Sequence, residues 1–147
     1  MGPTIGREAR HEAHKVLIGK WINTRHTTKT SEAPSVLVIT SDVYEWAPGG
    51  FYVLHQAYGN IGKTSVEGIE IIGVGDEGYR SRFDGSFSNV QWSRGAIDGD
   101  VIRWVGERTR CVATFTDLGL TQTAHHDVQG ESGKWTASMD VTLRRIV

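Results

Sequence analysis

The chain has 147 residues, of which 38% are hydrophobic and 22% charged, and this length and composition predict one globular domain with a buried core. Its 16 basic and 17 acidic residues leave a net charge of −1, so no basic excess favours nucleic acid or an anionic membrane as a partner. A lone cysteine, Cys111, excludes a disulfide within the chain; neither a leader peptide nor an apolar run of the ~18 residues that span a bilayer is visible, and we expect a cytoplasmic protein.

The first predicted element is a helix over about residues 5–18. Its apolar positions fall near helical spacing and are Ala9, Ala13, Val16 and Leu17. The charged residues lie mostly on the other side, and we expect His11 and His14 to be solvated with them.

From Gly19 onward the pattern changes to about ten short strands, with turn signals at intervals of about 8–12 residues. The turns are PGG at 48–50, DEG at 76–78, DGD at 98–100 and DLG at 117–119. No helical stretch separates the strands, so a parallel sheet is not expected. The prediction is an all-β fold: an antiparallel up-and-down barrel of eight to ten strands, over about 19–147 of a single domain (1–147), with the helix capping one end.

The first strand, GKWINTRH, carries polar residues on one face. Trp21, Asn23 and Arg25 alternate and therefore point the same way. Either this face is wet, or it lines a polar interior. Inside a barrel, Arg25 would pair with a carboxylate or with a ligand that carries an acceptor; an internal salt bridge is the alternative.

One helix, the motif Gly19-Lys20-Trp21 and a basic residue on the last strand together resemble the calycin superfamily of lipocalin-like barrels. The resemblance implies that Trp21 lies at the closed end, under an arginine from the last strand. Arg145 and Arg144 are the candidates. Arg145 is favoured because it shares the largely apolar parity of Trp135, Ala137, Met139, Val141 and Leu143.

A closer resemblance, over about residues 17–147, is to small, mostly uncharacterised bacterial calycin-like barrels. Its motifs, in chain order, are Pro48-Gly49-Gly50-Phe51, Gly68-Ile69-Glu70-Ile71-Ile72-Gly73, Asp98-Gly99-Asp100 and Trp135. The nitric-oxide- and heme-binding nitrobindins share this general barrel shape.

The barrel hypothesis predicts which side chains line the interior. Asn23 and Arg25 follow Trp21 up the wall, Tyr44 shares a face with Asp42, and His55 follows Val53. Trp92 and Trp104 flank the DGD hairpin almost symmetrically and would form an aromatic wall, or simply core. The full predicted set of ligand-binding residues is Asn23, Arg25, Tyr44, His55, Trp92, Trp104 and His125, with Trp21 and Arg145 as structural residues.

His125 and His126 are neighbours on one strand, so one of them faces inward, but parity alone does not say which. Their side chains diverge, and for this reason we predict no metal site. Cys111 is expected to be a small buried apolar residue rather than a nucleophile.

The leading functional prediction is a protein that binds one small, largely apolar or aromatic molecule in the barrel, with no resident cofactor. One alternative is a cavity enzyme of the cyclase or isomerase type, whose chemistry leaves no sequence motif. Another is a heme-binding barrel resembling nitrobindin, with His125 or His126 as axial ligand. Neither nucleic acid nor membrane is an expected partner, and a homodimer is left open.

Overall fold

The computed structural model describes residues 8–23, 26–28, 36–86 and 89–147. The helix, α1, covers Ala9–Glu12 and continues as a 3₁₀ turn over Ala13–Val16. Its C-terminal end therefore lies at Val16, two residues before the predicted end at 18. The helix begins where the backbone N–H of Glu8 donates to Nδ1 of His11 at 2.9 Å.

The prediction that His11 and His14 are solvated is wrong. The two side chains face the barrel and are 8% and 0% exposed. The ring of His14 packs edge-on against Tyr79, with 4.9 Å between the ring centroids, and its Nδ1 lies 2.9 Å from the carbonyl oxygen of His11. The buried face of the short helix thus carries imidazoles, which hydrophobic periodicity does not detect.

The described residues form eleven strands after the helix, all paired antiparallel. They are β1 Gly19–Asn23, β2 His26–Thr28, β3 Val36–Trp46, β4 Val53–Ile61, β5 Thr64–Gly75, β6 Gly78–Gly85, β7 Gln91–Asp98, β8 Val101–Gly106, β9 Thr109–Thr116, β10 Thr121–Gln129 and β11 Trp135–Ile146. Both β1 and β2 pair with β3 on one side and β11 on the other, so they share one position in the sheet. The result is a closed up-and-down barrel with ten strand positions, as predicted.

The closed end of the barrel is built around Trp21, which is fully buried. Its indole N–H donates to the carbonyl of Leu17 at 2.8 Å, and the Arg145 guanidinium carbon lies 4.5 Å from its ring centroid. Arg145 also donates to the carbonyls of Val16, Ile18 and Gly119. One guanidinium therefore satisfies carbonyls left open at the end of the 3₁₀ turn while it covers the indole.

The glycine of the Gly-x-Trp motif has a geometric cause. Gly19 has φ +137°, a region that side-chain-bearing residues rarely adopt. A Cβ added there would also lie 3.0 Å from Nη1 of Arg145. Glycine is thus required for two reasons: the backbone conformation at the start of β1 and the close contact with the Arg145 side chain.

No helix within 8–23, 26–28, 36–86 and 89–147 is both long and apolar enough to cross a bilayer.

Candidate functional site

The barrel encloses a cavity of about 440 Å³. Most of its wall is apolar, with contributions from Leu17, Ile72, Phe83, Ile102, Trp104 and Leu143. Leu17 and Leu143 also belong to the core that surrounds Trp21, and therefore they mark the closed end. A volume of this size accommodates one small organic molecule.

A polar cluster interrupts this wall where β3, β4 and β5 lie side by side. The imidazole of His55 is held between two carboxylates: its Nδ1 lies 2.8 Å from Oε1 of Glu70, and its Nε2 lies 2.7 Å from Oδ1 of Asp42. Ser81 on β6 donates to the second oxygen of Glu70 at 2.8 Å. All four residues line the cavity, and their side chains are largely buried.

The register of the sheet explains this cluster. Tyr44 on β3 pairs with His55 on β4, which pairs with Glu70 on β5. Cross-strand partners point to the same side of a sheet, and Asp42, two residues before Tyr44, shares that side. Three neighbouring strands therefore deliver one imidazole and two carboxyl groups to a single patch.

The two carboxylates control the protonation of His55. Burial disfavours the imidazolium, but the hydrogen bonds to Asp42 and Glu70 outweigh it and raise the pKa of His55 to about 9. At neutral pH both ring nitrogens therefore carry a proton and donate. The ring of Tyr44 stacks on this imidazolium with 3.9 Å between centroids, and burial together with the charges of Asp42 and Glu70 raises the pKa of its phenol.

Two glycines make room for the aromatic wall. A Cβ at Gly68 would lie 2.4 Å from Cζ of Phe83, and one at Gly95 would lie 2.5 Å from the indole of Trp104. Both rings thus rest on bare backbone of the neighbouring strand. This accounts for Gly68 and Glu70 in the Gly-x-Glu-x-x-Gly motif, because the glycine seats Phe83 and the glutamate holds His55.

Replacing Gly68 by alanine should lower the free energy of unfolding by about 1–3 kcal/mol, because Phe83 has to leave its place. Urea denaturation followed by far-UV circular dichroism measures this. Gly130→Ala is the control: an added Cβ there meets no atom nearer than 3.9 Å, and a change within about 0.5 kcal/mol is expected. Equal midpoints of urea denaturation for the two variants would contradict the close packing of Phe83 against Gly68.

The structure brings three of the predicted binding residues, Tyr44, His55 and Trp104, to the cavity. Asn23 is not among the residues that line the cavity, because its side chain bonds to the backbone of β3. Its side-chain N–H donates to the carbonyl of Val38, and its side-chain oxygen accepts from the N–H of Thr40, both at 2.6 Å. The amide thus joins β1 to β3. Arg25 lies outside the described residues.

The inward position predicted for Trp92 has to be corrected, because this side chain is 66% exposed on the outer face. The hairpin pairs Asp98 with Val101, so Trp104 pairs with Gly95. Positions 93, 95 and 97 of β7 consequently face the same side as Trp104, and position 92 faces the other. The near-symmetric spacing around the turn was a misleading signal.

His125 also lies outside the cavity, and its predicted inward position is corrected in the same way. Its ring nitrogens lie 2.6 Å from Asp140 and 2.8 Å from Asp127, and its side chain is 48% exposed. The hydrogen bond to Asp140 is the main cause that raises its pKa. His126 lines the cavity instead, with Nε2 3.8 Å from Sγ of Cys111.

Cys111 is a poor nucleophile in this setting. Burial, reinforced by the negative charges of Glu70 and Asp127, raises the pKa of its thiol to about 12. Among the residues that the structure describes, no group of three or more histidine, cysteine, aspartate or glutamate side chains is arranged to hold a metal ion.

The polar residues that line the cavity and that sequence reasoning did not select include Asp42, Glu70, Ser81 and Gln122. Gln122 is only 6% exposed, and its side-chain oxygen has no hydrogen-bond partner within the described part of the chain. Strand parity was the available signal for two of them. Asp42 shares a face with Tyr44, and Gln122 shares a face with Ala124. Polar side chains at inward positions of a barrel strand are candidates for binding.

Comparison with known proteins gives a likeness of fold. No family model matches the chain, and no curated protein does. Among solved structures, it is similar to Rv2717c from M. tuberculosis, with a TM-score of 0.72 and 10% identity over 97% of this chain and 100% of that one. It is also similar to the S-type phycobiliprotein lyase CPES from Guillardia theta, with a TM-score of 0.62 and 13% identity over 99% of both chains. At these identities the two structures support the lipocalin-like barrel and nothing finer.

Proposed function

We propose that this protein binds one small, largely apolar molecule inside the barrel, with the polar group of the molecule directed at Asp42, His55 and Glu70. The observation that carries the proposal is the cavity of about 440 Å³, whose wall is largely apolar and includes the buried cluster of Asp42, His55 and Glu70. The resemblance to ligand-binding barrels and the fold of the phycobiliprotein lyase support it. Arg25 remains a predicted second handle.

The neutral fluorescent amine N-phenyl-1-naphthylamine tests whether the cavity takes an apolar molecule. We expect its emission to rise on binding, and Trp104→Ala to weaken its affinity about tenfold, because part of the apolar wall is lost. Trp92→Ala is the matched control, since Trp92 lies on the outer face, and its affinity should stay within about twofold.

The opposite order of effects would contradict the proposal. Trp92 lines a surface groove formed by 89–92 and 106–109. A probe that depends on Trp92 and ignores Trp104 would be bound in that groove rather than in the barrel. Native mass spectrometry of the freshly purified protein would, in addition, reveal a co-purified molecule by its mass.

A cavity enzyme of the cyclase or isomerase type is the second candidate, and the buried cluster around His55 favours it, since it joins an imidazolium to two carboxylates. Binding ranks first because both ring nitrogens of His55 are already engaged by carboxylates. A proton could reach a ligand from His55 only after one of these hydrogen bonds breaks. A co-purified molecule that NMR shows to be rearranged during incubation would favour the enzyme.

The heme alternative now rests on His126, which lines the cavity, because His125 lies outside it and is held by Asp127 and Asp140. A bound heme would supply an iron for a diatomic ligand, and His126 would have to exchange its contact with Cys111 for the metal. A Soret band in the purified protein tests this. The homodimer stays a prediction that light scattering can check.

A further inference from the structure

We propose that the molecule held in the barrel carries a positively charged or strongly hydrogen-bond-donating nitrogen, as a protonated primary amine on an apolar body does. This inference rests on the proposed function and names the class of ligand for the same cavity. Two independent observations carry it: the excess of negative charge around His55, and a buried acceptor on another wall.

The first observation is the charge of the cavity. Asp42 and Glu70 hold one imidazolium between them, so this cluster has a formal charge of −1. Among the described residues that line the cavity, the one guanidinium is that of Arg110, and its Nε lies 2.8 Å from the carboxylate of Asp127. The described part of the cavity wall therefore carries an unbalanced negative charge in surroundings of low dielectric constant, where it acts strongly on a cation.

The second observation is Gln122. Its side-chain oxygen is buried, lines the cavity and accepts no hydrogen bond from the described residues. Leaving such an acceptor unpaired in the folded protein is unfavourable, and a donor on a ligand would remove that cost. β10, which carries Gln122, is separated from β4 by β11, the β1/β2 position and β3, so the acceptor belongs to a different wall from His55.

The acceptors on two walls and the net negative charge both favour a ligand with a cationic hydrogen-bond donor. An ammonium group has three donors and no acceptor, and therefore it complements carboxylate and amide oxygens. A ligand that carries a carboxylate in place of the ammonium group would be repelled by the negative charge of Asp42 and Glu70. Its carboxylate would also lose its hydration without gaining a partner. A neutral alcohol should lie between the two in affinity.

The test compares three ligands with the same chain: decylamine, 1-decanol and decanoate. Each displaces N-phenyl-1-naphthylamine at pH 7, below its micelle concentration. We expect decylamine to bind at least about tenfold more tightly than 1-decanol, because a charge-assisted hydrogen bond replaces a neutral one. Decanoate should bind at least about tenfold more weakly than the alcohol.

Glu70→Gln should reduce the preference for decylamine over 1-decanol about tenfold. Glu67→Gln is the matched control, because it removes the same charge from the outer face of the same strand and should leave the preference unchanged. The Gln122→Leu variant, which replaces an acceptor by an apolar group, should also reduce the preference. A melting temperature measured for each variant identifies a loss of folding.

The outcomes separate this inference from the function on which it rests. If the probe and 1-decanol bind in the barrel but decylamine is no better than 1-decanol, the amine class is wrong and the binding function stands. If neither the probe nor any of the three chains binds, the binding function itself fails. Equal losses of preference in Glu70→Gln and Glu67→Gln would attribute the effect to overall charge and overturn the assignment to the cluster.

Discussion

Replacing Trp21 by alanine is expected to lower the free energy of unfolding by about 3–5 kcal/mol. Trp21 is fully buried, touches Phe115 edge-on and donates to the carbonyl of Leu17. Its removal leaves a cavity at the closed end and deprives the Arg145 guanidinium of the ring beneath it. Urea denaturation followed by far-UV circular dichroism measures the change without relying on tryptophan emission.

Trp92→Ala is the control for this experiment, since it removes the same side chain from the outer face. We expect a change of less than about 1 kcal/mol there. Similar losses in the two variants would show that the closed end does not depend on Trp21. A second variant, Arg145→Met, retains the apolar stem but removes the donors to the three carbonyls, and it should fall between these two.

The stability of the unaltered protein should decrease as the pH rises from about 6.5 to about 9. The pKa of His55 is about 9 in the folded protein and 6.5 in its ordinary range, so folding favours the protonated ring. This contribution is fully present below pH 6.5 and is lost as the pH rises through 9. At about 1.4 kcal/mol for each pKa unit, the loss amounts to about 3 kcal/mol at most.

The groups that face His55 support this assignment. Asp42 and Tyr44 come from β3, Glu70 from β5, and Ser81 reaches Glu70 from β6. Cys111 has an ordinary pKa of 9.0 and a folded pKa of about 12, so its own contribution is lost only above pH 9. The slope between pH 6.5 and 9 therefore reports on His55 rather than on the thiol.

Two measurements check this. The free energy of unfolding in urea is determined between pH 6 and 9, and the imidazole resonances are followed by NMR over the same range. His125→Gln should retain the slope, because its imidazole is half exposed and solvent screens its ion pairs. A resonance of His55 that titrates near 6.5, or a flat stability profile, would contradict the buried imidazolium.

The sequence by itself determined the architecture. Alternating strands, turn signals at short intervals and no helix between strands leave an antiparallel barrel, because a long meander must close or stack to remove its edges. Gly19, Trp21 and Arg145 were recognised through the resemblance to lipocalin-like barrels, and strand parity favoured Arg145 over Arg144. Tyr44 and His55 were readable from parity within their own strands.

Only the tertiary structure decided which strands put their polar residues against one another. Parity tells which residues of one strand share a face, but the face that points inward depends on the register with the neighbouring strands. The turn at Gly99 and Asp100 offsets β7 from β8 and turns Trp92 outward, while Trp104 stays inside. Likewise, pairing with β9 and β11 places His126 rather than His125 in the cavity. The convergence of Asp42 and Glu70 on His55 arises from three strands and two turns at once, and therefore no single segment of the sequence contained it.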